Sequence, residues 1–98
     1  IETYFGDIRP DIVLINQKKR KIVIVDIKTG QKTKKKITKV LIQLFKYYTV
    51  FKNLFAGFAI NIYIFWAKLG EFETYSHLVS ELYANVHKQY TRFNHNLT

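Results

Sequence analysis

"RPDIVLINQKKRKIVIVDIKTG", residues 9–30, holds two short apolar runs around a polar, basic turn and closes on an acid, a lysine and a glycine. Asp11 to Ile15 and Ile22 to Ile27 are almost continuously apolar, as strands covered on both faces are, and Asn16 to Lys21 between them is polar. The stretch reads as a β-hairpin. With the loop centred on Lys18 and Lys19, paired residues sum to 37, so Ile15 faces Ile22 and Asp11 faces Asp26. Two carboxylates then stand opposite each other on one sheet face, with Cβ atoms ~5 Å apart, where like charges destabilise. Lys28 lies two residues beyond Asp26 and shares that face, but one lysine neutralises only half of the pair. A divalent cation does more, because Mg²⁺ takes one or two carboxylates together with waters and phosphate oxygens. The backbone carbonyl of Ile27, where the ladder frays, adds another oxygen ligand. The same residues also fit a simpler pattern, in which both acids end their strands in solvent and Lys28 pairs with one of them.

Outward from the hairpin, apolar residues recur at helical spacing. Ile37, Val40, Leu41, Leu44, Phe45, Tyr48, Phe51, Leu54 and Phe55 form the stripe of an amphipathic helix from about Lys34 to Phe55. Gly57 punctuates, and Phe58 to Trp66, rich in Ile and aromatics, is a third core strand. After Gly70 the helical spacing restarts with Tyr75, Leu78, Val79, Leu82, Tyr83, Val86, Tyr90 and Phe93, a last helix of about five turns. This order predicts an α/β fold, a central mixed sheet with both hairpin strands inside it and the 34–55 helix across one face. The 98 residues suit one domain with a single core.

Sixteen Lys plus Arg against seven Asp plus Glu leave a net charge of +9, which points to a polyanionic partner, nucleic acid first. The chain has no cysteine. That excludes disulfides, iron–sulfur clusters and zinc knuckles and fits an intracellular, cytoplasmic protein. No apolar run reaches the length of a membrane span, so no membrane association is expected. His77, His87 and His95 lack metal-ligand spacing. Asp7 beside Gly6 reads as a local hydrogen-bonder in a turn. No Ser–His–Asp arrangement, Gly-rich phosphate loop or dinucleotide fingerprint is present.

The hairpin resembles the PD-(D/E)XK nuclease superfamily, with Pro10 and Asp11 as the first half of its motif and Asp26, Ile27 and Lys28 as the second. Gln43 and Tyr47 match the Q-x-x-x-Y signature of the RecB-like and lambda-exonuclease-like branch, and Asp26 to Gly30 is similar to that branch's D-Y-K-T-G, with Ile for Tyr. Lacking cysteine, the chain differs from members related to CRISPR adaptation nucleases. The resemblance implies a restriction-endonuclease-like core of αβββαβα type and a single domain over residues 1–98. The family's first helix, which carries a further acid, is not expected within this chain, and Glu2 is a poor substitute for that acid.

The implied activity is Mg²⁺- or Mn²⁺-dependent hydrolysis of DNA phosphodiester bonds, of the kind found in DNA repair or recombination. Asp11, Asp26 and the Ile27 carbonyl would hold the metal, which lowers the pKa of a bound water and neutralises charge growing on the phosphate. Lys28 would orient that water or stabilise the transition state. Gln43 would hydrogen-bond near the scissile group, and Tyr47 would contact a phosphate or stack on a terminal base. Lys28, Lys32, Lys34, Lys35, Lys36 and Lys39 form a basic ramp into the helix, suited to DNA phosphates. The group Lys18 to Lys21 reads as a solvated turn. Two alternatives stand beside the nuclease. One is a domain of nuclease fold that binds nucleic acid or protein without cutting. The other is a Holliday-junction resolvase, which requires a homodimer or larger complex.

Overall fold

The hairpin forms in the register that its loop predicts. In the computed structural model, which describes the backbone of residues 8–97 and the side chains of residues 8–89, β1 (Ile12–Asn16) runs antiparallel to β2 (Lys21–Lys28). Ile15 lies opposite Ile22 and Ile12 opposite Val25. Asn16 tightens the turn by accepting the Lys19 N–H on its Oδ1 at 3.0 Å. The chain then enters α1 (Lys34–Leu54) and returns as β3 (Ala59–Trp66), parallel to β2. A second hairpin leads to β4 (Glu71–Thr74), and α2 (Ser76–Leu97) follows. The result is an α/β fold with a mixed sheet of order β1-β2-β3-β4.

Local chemistry sets the limits of α1. Thr33 caps its start by accepting the Lys36 N–H on Oγ1 at 3.2 Å, which satisfies one of the otherwise unpaired first-turn donors. Beyond Leu54 the chain reverses through Gly57 at φ +85°, a left-handed conformation that only glycine adopts without a Cβ penalty. The rings of Phe51, Phe55 and Phe58 pack across this reversal at 5.9 and 5.5 Å.

Both helices cover the same sheet face. Ile22 and Ile24 of β2 alternate inward, as do Ile60, Ile62, Ile64 and Trp66 of β3, and they meet Val40, Leu44, Tyr48 and Phe51 of α1. Tyr75, just before α2, and Val79 within it complete this core. Tyr83 of α2 sets its ring edgewise on Tyr48, with centroids 5.2 Å apart.

Three expectations are corrected here. The apolar strands are not covered on both faces: among the described residues no helix lies over Ile12, Leu14, Val23, Val25, Ile27, Tyr63, Phe65 and Phe72, which are half-buried or exposed. A continuous apolar run looks the same whether its second face is packed or open. Second, only β2 is interior, because among the described residues β1 pairs with β2 alone and forms an edge. Third, residues 71–74 form a strand rather than the run-in to a helix. Tertiary pairing holds them, with Phe72 against Phe65 across the ladder at 4.7 Å, and Gly70 at φ +64° makes the turn. Helix α2 is also longer than expected, at 22 residues. Glu2, Asp7, His95 and the side chains of Tyr90 and Phe93 lie outside the described residues.

Among the described residues no helix is long and apolar enough to cross a membrane. The packing makes a direct prediction. Phe51→Ala, at a fully buried position, should cost about 3–5 kcal/mol in urea denaturation, whereas Leu14→Ser on the open face should stay within about 0.5 kcal/mol.

Candidate active site

The register places Asp11, one residue before β1, across from Asp26. Asp11 Oδ2 accepts the Ile27 N–H at 2.7 Å, which shows that the amide edge of Ile27 faces the β1 side. In an extended strand the carbonyl of a residue shares the edge of its N–H. The residue across from Ile27 in this register is Pro10, which has no N–H to donate. The Ile27 carbonyl therefore receives no ladder hydrogen bond from Pro10 and lies on the same strand edge as the N–H that Asp11 accepts. Pro10 is itself fully buried, so the chain is firmly seated where the ladder ends.

Asp26 points to the helix-covered face and is only 3% exposed. Lys28 Nζ lies 2.9 Å from its Oδ2. At that length the ammonium serves Oδ2 as a charge-assisted donor, so Asp26 is a buried carboxylate held by one lysine. Burial raises the Asp26 pKa above the ordinary carboxylate value; Lys28 opposes the shift and the neighbouring Asp11 carboxylate adds to it.

Helix α1 supplies the other half of the site. Lys28 Nζ donates to Gln43 Oε1 at 2.7 Å, and Gln43 Nε2 donates to the Tyr47 hydroxyl at 2.7 Å. That hydroxyl donates in turn to the Arg9 carbonyl at 3.4 Å, a long bond that returns the chain of contacts to the start of the hairpin. Lysine can only donate, so the Gln43 amide is oriented with its oxygen toward Lys28. Gln43 and Tyr47, one turn apart on α1, thus form a relay that fixes the Lys28 ammonium beside Asp26. Tyr47 is 2% exposed. Burial, and then the fields of Asp26 and Asp11, raise its pKa, which keeps the phenol protonated as a donor. Its buried ring offers no face to a base, so the stacking role expected from the sequence is replaced by an orienting one.

The five residues singled out in the sequence, Asp11, Asp26, Lys28, Gln43 and Tyr47, therefore come together where β2 ends. The donor set suits a hard divalent cation: two carboxylates, one of them buried, and a carbonyl. Among the described residues there is no cluster of three or more His, Cys, Asp or Glu. His77, in the first turn of α2, is paired with Glu81 at 3.1 Å.

The basic ramp divides. Lys34 and Lys35 are exposed at the start of α1, Lys36 is half-buried, and Lys39 reaches a cleft beside Gln43. Lys32 is held away from them. Its Nζ donates to Glu73 Oε2 at 2.6 Å and lies 5.7 Å from the centre of the Trp66 ring. Glu73 also accepts from Trp66 Nε1 at 3.3 Å and from the Tyr75 hydroxyl. These bonds, that of Lys32 foremost, lower its pKa. The latch ties the loop after Lys28 to β4. Sequence reasoning missed it, because β4 was not legible. It also missed Arg9 and Lys46, which flank the relay, although Lys39 and Lys46, seven apart, carry the helical-face signal.

Compared with protein-family models, curated proteins and solved structures, the chain matches none.

The raised Asp26 pKa has a signed consequence. The folded state holds this proton to higher pH than the unfolded state does, so its stabilising effect is complete below the ordinary carboxylate range and is lost as pH rises through the raised value. In EDTA at neutral pH, Asp26→Asn should therefore show a higher urea midpoint than the native chain, and the margin should vanish on acidification. Added Mn²⁺ should raise the midpoint of the native chain but not that of the variant.

Proposed function

We propose that this chain is a metal-dependent deoxyribonuclease that hydrolyses DNA phosphodiester bonds, built on a restriction-endonuclease-like core and acting in the manner of the RecB-like branch. The observation that carries the reading is the connected set of Asp11, Asp26, Lys28, Gln43 and Tyr47, in which a buried carboxylate lies across the ladder from a second one. The mixed sheet and the β2–α1–β3 crossover are compatible with that core. The site lies at the C-terminal end of β2, outside which α/β sheets bind their ligands. Mg²⁺ or Mn²⁺ would be held by Asp11, Asp26 and the Ile27 carbonyl, and would supply a water of lowered pKa and charge neutralisation at the phosphate.

The chain's own residues do the rest. Asp11 holds the Ile27 amide and thereby the end of β2. Lys28, anchored by Gln43, presents a fixed cation where negative charge grows on the phosphate in the transition state. A donor already in place needs no reorganisation as the reaction proceeds. Tyr47 locks Gln43 through a hydroxyl that stays protonated. Lys34, Lys35, Lys36 and Lys39 attract the DNA backbone.

One observation favours a second reading, a domain of the same fold that binds nucleic acid without cutting it: the described residues hold two acids at the site and no third. Titration of Mg²⁺ or Mn²⁺ with labelled linear and circular DNA separates the two, and cutting confined to linear DNA marks an exonuclease. Asp11→Asn and Asp26→Asn should each abolish cleavage while DNA binding persists. Lys28→Gln should lower kcat far more than it raises KM, because its interaction is strongest in the transition state. Undiminished cleavage by either Asp variant would remove the metal-site reading.

A further inference from the structure

A second charged feature adjoins the relay. Ile8, Arg9, Lys39, Ile42, Gln43, Lys46 and Tyr47 line an open cleft of about 390 Å³. Gln43 and Tyr47 belong to both the cleft and the relay, so the cleft begins where the candidate active site ends. Three of its lining residues are cations and none is an acid. Lys39 and Lys46 make no ion pair among the described residues. Seven residues apart, they lie nearly in line on one face of α1, about 10 Å from each other along the axis. Lys39 and Lys46 are both exposed and lie about a Debye length apart, so each is available to an anion on its own. Ile42, on the turn between them, leaves 57% of its surface in water, an apolar spot inside a basic cleft.

We propose that this cleft holds one nucleotide of a single DNA strand next to the scissile phosphate, with Lys39 and Lys46 on backbone phosphates and Ile42 against the sugar or base. The proposal rests on the nuclease reading for the position of the scissile group. Its volume lies in the range of pockets that take a small molecule, which is enough for one nucleotide. Contacts to the phosphates carry affinity and salt dependence, and the apolar contact carries neither charge nor sequence information. The strand would then leave the site along the outer face of α1 toward Arg9, and the loop that Glu73 ties down through Lys32 would lie off its path.

The test is binding of a fluorescent single-stranded oligonucleotide to the chain in EDTA across a salt series, so that cleavage plays no part. Lys39→Gln/Lys46→Gln should weaken binding roughly tenfold at low salt and flatten the log K versus log salt slope by about 1.4, since each single-strand contact contributes about 0.7. Ile42→Ser should weaken binding by a similar factor at every salt concentration and leave the slope unchanged. Lys18→Gln/Lys19→Gln, an equal loss of charge at the exposed hairpin tip, should change neither, and circular dichroism should show all variants folded. An unchanged slope in the Lys39/Lys46 variant, no binding by the native chain at low salt, or an equal loss on a blunt duplex would each overturn the proposal. Cleavage with Mn²⁺ is scored separately. A chain that does not cut but loses slope as described upholds the cleft and fails only the nuclease reading.

Discussion

A carboxylate buried beside a second carboxylate is costly, and the site is arranged around that cost. Asp26 is taken out of water by the helices that cover its sheet face, while the hairpin register brings Asp11 opposite it. Neither acid can be moved without shifting the ladder, because a slip of one residue would turn every inward Ile of β2 to the other face. The packing of the core and the closeness of the acids therefore have a single cause. Lys28 offsets part of the repulsion through its 2.9 Å contact with Asp26. One ammonium cannot neutralise two carboxylates, and a cation between the two acids is the compensation proposed here.

Lys28 has a long, flexible stem, and an ammonium free to wander makes a poor electrostatic partner. Helix α1 removes that freedom. Val40, Leu44, Tyr48 and Phe51 press the helix onto the sheet, which brings Gln43 within 2.7 Å of Lys28, and Tyr47 turns the Gln43 amide oxygen toward it. The relay ends on the Arg9 carbonyl, just before Pro10, so both ends of the hairpin and the middle of α1 are joined through three side chains, Lys28, Gln43 and Tyr47. Stability and site geometry thus share the same contacts. The Lys32–Glu73 latch does comparable work at the loop, tying the run from β2 into α1 to the short strand β4.

The sheet is used asymmetrically. One face carries the core and the acids; the other, among the described residues, leaves Leu14 and Phe72 at 60% and 66% exposure. The charge of α1 is asymmetric as well, since its inner face is apolar while its outer face carries Lys35, Lys39 and Lys46. Function is proposed where the two asymmetries meet, at the end of β2 under the middle of α1.

Strand and helix periods, together with the loop at Lys18 and Lys19, determined the hairpin, its register and the extent of α1, because these depend on which side chains alternate and on how short a turn closes. The pairing of Asp11 with Asp26 followed from the same arithmetic, and Lys28 from its place two residues on. Only the tertiary structure decided the rest. Strand β4 exists because β3 offers it a ladder, and nothing in its own four residues distinguishes them from the lead-in to a helix. Whether the second sheet face is covered depends on where helices pack, which an apolar run does not record. Tyr47 became an orienting group, and Lys32 a latch, because burial and the nearness of Glu73 are set by contacts between residues far apart in the chain. Local pattern encodes periodicity and charge; which charge finds a partner is settled only when distant segments meet.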